Sequence, residues 1–237
     1  MGATAELRLR CTLRRLKPSA CPLEARLVTW KATPHRPGCR FCDFTSGRRC
    51  ASLALRALGM RSGSIRRDRR GAPLWPGLVT GSLSHAGGLA ICIVAHRRLC
   101  AALGIDIEPL RRDFPDAAKA LCATSAQIAQ LDALPEPMRA CHWFTIFSAS
   151  ESLLKMYWTA FARIPPQAEF NKLTQVLIDK MPYQRLTPGP IVVTLPAKIR
   201  VACWALDGFV LSMAWLPKPA WPPCHSTGKS GANHYPP

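Results

Sequence analysis

The chain has 237 residues, enough for one large domain or two small ones, and its 48% hydrophobic against 19% charged content excludes a chain disordered throughout. Its net charge of +18 is uneven, because residues 1–72 hold 17 Lys+Arg against 4 acids. Such an excess attracts a polyanion, whether nucleic acid, an anionic membrane surface, a nucleotide cofactor or an acidic protein, and composition does not choose among them. No segment reaches the ~18 consecutive apolar residues of a membrane span. Residues 1–30 carry scattered arginines and lack the apolar stretch of a secretory signal. The eleven cysteines are therefore expected to be reduced thiols in a cytoplasmic setting. Cys39-x2-Cys42, with His35 and Cys50 nearby, offers only one CxxC pair. Free cysteines are the simpler reading beside a structural zinc.

In chain order, residues 1–43 form a basic segment without clear periodicity and stay unassigned. From Ser46 to Gly59, Cys50, Leu53, Ala54, Ala57 and Leu58 recur at three and four residues, which predicts an amphipathic helix closed by Gly59. A basic loop follows from Arg61 to Gly71. Gly81 to Ala95 reads as a turn leading into a buried strand over Leu89–Ala95. A second strand spans Leu103–Glu108 and stops at Pro109. Helices are predicted at Ala117–Leu121, Ser125–Leu134 and Trp143–Phe161, the last with Phe147, Leu154 and Trp158 along one side. Strands are then expected at Ile191–Leu195, Ile199–Leu206 and Phe209–Trp215, with Asp207-Gly208 as a hairpin turn. The Pro-rich stretches near Pro165–Pro166 and Pro182–Pro196 read as loops, and residues 217–237 as a disordered tail.

Three segments carry candidate chemistry. In Gly104-Ile-Asp106-Ile-Glu108, strand geometry points Asp106 and Glu108 to one face and Ile105 and Ile107 to the other. Two adjacent carboxylates repel unless a cation or proton lies between them, and oxygen-only ligands suit Mg²⁺; a solvated strand end is the alternative. In Phe147-Ser-Ala-Ser-Glu151-Ser-Leu-Leu-Lys155, Glu151 and Lys155 share a helix face. They are either a surface ion pair or a third metal ligand beside a phosphate-binding cation. In Trp75-Pro-Gly-Leu-Val-Thr-Gly81-Ser-Leu-Ser-His85, glycine and small hydroxyl residues allow close approach to a phosphate. His85 is either a donor to that phosphate or a structural histidine.

Taken in this order and at these separations, the GIDIE, FSxxExxxK and WPxxxxGSLSH stretches resemble the 4′-phosphopantetheinyl transferases. The likeness is greatest to the branch of the enterobactin synthase component D enzymes. Gly47-Arg-Arg-Cys-Ala51, Pro73-Leu-Trp-Pro76 and Asp207-Gly-Phe-Val-Leu211 add to the likeness, which covers about residues 44–216. It implies an α/β (α+β) fold of two similar strand–helix halves in pseudo-twofold relation. Residues 44–104 would form the half that binds the coenzyme A phosphates, and residues 105–216 the metal-binding and catalytic half.

By the same resemblance, Asp106, Glu108 and Glu151 would bind Mg²⁺. Arg48, Arg56, Arg70, Ser84, His85 and Lys155 would contact coenzyme A. Either Lys155 or a water guided by Glu151 would act as base. A carrier-protein serine would attack the β-phosphate, and 3′,5′-ADP would leave. The partners implied are coenzyme A and an acyl or peptidyl carrier protein, with no nucleic acid, no membrane span and a monomeric state. The pattern departs at Ser150, where the family usually has lysine, at Ala86 and Leu89, which replace a cysteine and an aromatic, and at Ala72, where glutamate is common. Two alternatives stand beside the transferase reading: a catalytically impaired relative that binds coenzyme A, and a basic nucleic-acid-binding module. The latter would account for the charge but not for three carboxylates in a phosphate-rich neighbourhood, and the chain has no RNP-type, zinc-finger or clear helix-turn-helix pattern.

Overall fold

A computed structural model describes residues 26–31, 40–61, 65–69, 71–181, 190–206 and 208–217; among these, no side chain is described for 26–31, 40–43 or 137. Seven strands and five α-helices run in the order β1 (Arg26–Lys31), α1 (Arg40–Ala57), β2 (Val79–Ala86), β3 (Leu89–His96), β4 (Cys100–Pro109), α2 (Asp116–Cys122), α3 (Ser125–Asp132), α4 (Glu136–Phe161), α5 (Gln167–Lys180), β5 (Ile191–Thr194), β6 (Arg200–Leu206) and β7 (Phe209–Pro217). They build two antiparallel sheets, ordered β1-β3-β2 and β4-β7-β6-β5.

Period-two alternation assigns each strand's two faces to different cores. Ile91 and Ile93 of β3 pack with Leu103, Ile105 and Ile107 of β4 and with Trp204, Leu211 and Met213, so the inner faces of both sheets share one core. On the outer face of the first sheet, Ala90, Cys92 and Val94 meet Cys50, Ala51, Ala54 and Leu55 of α1. On the outer face of the second, Val201, Cys203, Val210 and Ala214 meet Ile146, Ala149, Leu153 and Met156 of α4. Each half is thus a sheet with a helix on its back, in agreement with the expected α/β fold. The sheets also meet edgewise, where β2 packs beside β4 and the backbone N–H of Ile105 donates to Ser82 Oγ at 3.0 Å.

Several expectations change. Residues 79–86 are not a turn ahead of a strand but strand β2, paired with β3 from Val79↔His96 to Ala86↔Leu89, and the turn lies at Gly87-Gly88. Gly81 is small for a packing reason. A Cβ there would stand 2.9 Å from Trp75 Cε2, Ile93 O and Val94 Cγ1. Strand β1 and helix α5 occupy stretches without an assigned element, and α1 begins earlier than its periodic core. Gly59 does close α1 in the left-handed region, at φ +81°. Of the zinc candidates, His35 and Cys39 lie outside the described residues and the Cys42 side chain is not described. Cys50 is a buried thiol donating to Ala90 O, so it serves the core. Asp207 and the tail from residue 218 also lie outside the described residues.

Candidate active site

Helix α4 crosses the back of β4 so closely that a Cβ on Gly104 would fall on the Ser152 carbonyl oxygen and 2.6 Å from Met156 N. That proximity builds the site. The even residues of β4 face the helix, so Asp106 and Glu108 follow Gly104 along one face while Ile105 and Ile107 fill the core behind them. One turn of α4 separates Glu151 from Lys155. Asp106, Glu108, Glu151, Lys155, Ser84 and His85 all line one cavity of about 930 Å³. Its remaining walls include Trp75, Phe147, Leu154, Trp158 and Ile164, an apolar lining beside the charged groups.

The floor is organised around Asp106, only 3% exposed. Lys155 Nζ donates to Asp106 Oδ1 at 2.6 Å, to Ser84 Oγ at 3.1 Å and to Ile105 O at 3.3 Å. Ser84 in turn donates to the same Oδ1 at 2.8 Å. Asp106 Oδ2 is buried and has no hydrogen-bond partner among the described residues. Burial, followed by the charge of Asp106, pushes the Glu108 carboxyl up to about 7 against the pull of Lys155. Burial also raises Glu151, with Lys155 opposing and Asp106 adding to the shift.

Those properties test the residues against a divalent cation. The donor set is all oxygen, one buried carboxylate oxygen has no partner, and two further carboxylates carry too little compensating charge, which fits a hard cation such as Mg²⁺. The three are not, however, gathered around a point. Among the described residues, no group of three or more His, Cys, Asp or Glu is arranged to hold a metal ion.

Other site residues fall elsewhere. Arg48 and Arg56 do not line the cavity. Arg48 stacks its guanidinium 4.9 Å from the ring centroid of Phe44, which Arg67 also approaches at 5.4 Å. Burial, then the charge of Arg67, lowers the Arg48 pKa, and its Nη1 is buried with no partner among the described residues. Arg70 lies outside the described residues. Ser150 is 2% exposed, does not line the cavity, and its Oγ has no partner among the described residues. Arg97, at the turn between β3 and β4, does line the cavity and escaped the sequence reading. A basic pair at a turn carries no signal of which way it faces.

Comparison with known proteins places the chain in a class. A model of the 4′-phosphopantetheinyl transferase N-terminal domain matches residues 29–95, and a model of the 4′-phosphopantetheinyl transferase superfamily matches residues 102–212. The chain belongs to the 4′-phosphopantetheinyl transferase superfamily, as its motifs implied. It is 32% identical over 158 residues to the 4′-phosphopantetheinyl transferase Svp of Streptomyces mobaraensis, an overlap of 65% of this chain and 62% of Svp. It is 40% identical over 90 residues to Npt of Nocardia iowensis, 38% of each chain. Enterobactin synthase component D of Salmonella typhimurium is 32% identical over 121 residues, 50% of this chain and 48% of that one, in keeping with the branch named above. In each case the matched stretch spans less than two thirds of the relative's own length. No helix among the described residues is long and apolar enough to cross a membrane.

Proposed function

We propose that this chain transfers the 4′-phosphopantetheine arm of coenzyme A to a serine of an apo acyl or peptidyl carrier protein, with Mg²⁺ as cofactor and 3′,5′-ADP as leaving group. The observation that carries the reading is the convergence of Asp106, Glu108, Glu151 and Lys155 in one cavity of a chain from this superfamily. Asp106, Glu108 and Glu151 would hold the metal, which when bound supplies positive charge to the diphosphate.

The chain's own residues supply the rest. Lys155 Nζ meets three acceptors, Asp106 Oδ1, Ser84 Oγ and the Ile105 carbonyl. Its charge would neutralise a phosphate, and Glu151, in the same cavity, would guide the water that takes the proton of the attacking serine. Ser84 and His85, adjacent on β2, would donate to the diphosphate from the opposite strand. Arg48, Arg56 and Arg70 would hold the 3′-phosphate and adenylate end, with residues 44–104 as the nucleotide half and 105–216 as the catalytic half. The apolar wall of Trp75, Leu154 and Trp158 would receive the pantetheine arm.

We place the reaction in siderophore or other secondary-metabolite biosynthesis, on the similarity to enterobactin synthase component D, and assign a monomer working in the cytoplasm. Incubating the chain with apo carrier protein, coenzyme A and Mg²⁺ is the test. The expected product is carrier heavier by one phosphopantetheine, with 3′,5′-ADP released in equal amount. An unmodified carrier across acyl and peptidyl types would sink the proposal.

A further inference from the structure

The three carboxylates of the cavity face a problem that the side chains answer in an unexpected way. Asp106 is buried, and a buried carboxylate without a counter-ion is costly. Its compensation here is Lys155, whose ammonium sits 2.6 Å from Oδ1 and is steadied by Ser84 and by the Ile105 carbonyl. Meanwhile Asp106, Glu108 and Glu151 line the same cavity without being gathered about one point. Bringing them together on a cation therefore requires side chains to move, and the group already seated on the most buried of the three is Lys155.

We infer that Lys155 is a resident counter-ion for Asp106, and that a divalent cation displaces it from the carboxylate and frees its ammonium for the phosphate of the substrate. This rests on the metal-binding reading given above and adds a sequence of events to it. A lysine is suited to the task, as a compact point charge on a long flexible stem. It comes from α4, one turn beyond Glu151, and its side chain is 30% exposed along the cavity, so it has room to swing out. The displaced ammonium loses one carboxylate and gains a phosphate, which conserves its charge pairing. Asp106 Oδ2, buried and without a partner among the described residues, is a further acceptor left for the incoming cation. Ser84 is the positioning residue: its hydroxyl donates to Oδ1 and accepts from Lys155, holding the pair together until the exchange.

The exchange is tested without coenzyme A or carrier, so its outcome is independent of whether pantetheine transfer occurs. Metal-free wild type, Lys155→Met and Asp106→Asn are titrated with Mg²⁺ by calorimetry, and their melting temperatures are measured with and without saturating Mg²⁺. Removing a competing unit charge from the site is expected to tighten Mg²⁺ binding in Lys155→Met by about tenfold or more. Its metal-free form is expected to melt below wild type, with Mg²⁺ recovering most of the deficit. Asp106→Asn should show neither effect. Mg²⁺ affinity equal to or weaker than wild type in Lys155→Met, or a deficit that survives saturating Mg²⁺, would overturn the proposal, since a lysine needed only for packing would leave such a deficit. If Lys155→Met does not fold, the wild type decides the matter by NMR of the lysine ¹⁵Nζ groups. The hydrogen-bonded Lys155 ammonium signal should be lost as Mg²⁺ is added, and its persistence in the metal-bound protein would overturn the exchange.

Discussion

At the scale of single residues, facing the cavity, and not adjacency in the chain, separates what lines the site from what only neighbours it. Ser150 stands immediately before Glu151 in the chain, yet the helix turns it into the protein interior. Its hydroxyl is buried without a partner among the described residues, a cost that alanine would remove while improving helix propensity. Ser150→Ala is therefore expected to leave transfer activity within about twofold of wild type and to raise stability by up to about 1 kcal/mol. A large loss of activity in a well-folded Ser150→Ala protein would place Ser150 in the catalytic machinery after all. Two residues on, Ser152 also works through packing, since its carbonyl is what Gly104 must accommodate.

At the scale of elements, the β4–α4 crossing sets the site, and Gly104 is what permits it. A methyl group at this position meets backbone on the facing helix, which cannot yield as a flexible side chain would. Gly104→Ala is expected to cost about 3 kcal/mol or more, roughly a 10 °C fall in melting temperature for a chain this size. A melting point within about 2 °C of wild type would refute so close an approach. The helices in front of α4 are tied to it by one carboxylate. Asp132 accepts from Lys119 Nζ at 2.9 Å and from the buried indole N–H of Trp143 at 2.8 Å. Burial works to raise the Asp132 pKa, but the Lys119 and Trp143 hydrogen bonds outweigh it and hold the carboxyl below its ordinary range. A depressed folded-state pKa gives stability that is complete above the unfolded value of about 3.9 and lost as pH falls through the folded value. Wild type should accordingly lose melting temperature over that acid window more steeply than Asp132→Asn, and parallel curves would contradict the linkage.

Elements also show what was legible. The alternation in GIDIE placed Ile105 and Ile107 inward with Asp106 and Glu108 together, because period-two geometry is local. The spacing of Phe147, Glu151, Leu154, Lys155 and Trp158 likewise describes the face of α4 that lines the cavity. Strand β2 was hidden. Its Gly81, Ser82 and Ser84 look like a phosphate loop, whereas the two serines hydrogen-bond across the seam to β4 and Gly81 lies against the Trp75 ring. Helix α5 was obscured by Pro165 and Pro166, which read as loop, although a proline just before a helix does no harm; Phe170, Leu173, Thr174, Leu177 and Ile178 are its buried stripe.

At the scale of the whole molecule, the site is a property of the seam between the two sheets. No backbone ladder joins β2 to β4; serine side chains take its place, Ser82 accepting from Ile105 N and Ser84 donating to Asp106. Each half folds around its own helix, but the floor of the cavity draws on both. Ser82→Ala would leave the buried Ile105 N–H without its acceptor, at an expected cost of about 1–3 kcal/mol. Because Ile105 precedes Asp106, transfer should fall with it by about tenfold, whereas a change in neither quantity would mean that the halves are held together by apolar packing alone.

The proposed transfer of phosphopantetheine to a carrier depends on the carboxylate floor of this cavity. The most direct measurement is the initial rate of carrier modification by intact mass, with coenzyme A and Mg²⁺, for wild type and Asp106→Ala side by side. Wild type is expected to modify the carrier, and the variant to do so at a rate at least about 10³-fold lower. Equal rates for the two proteins, or no modification by either, would contradict it.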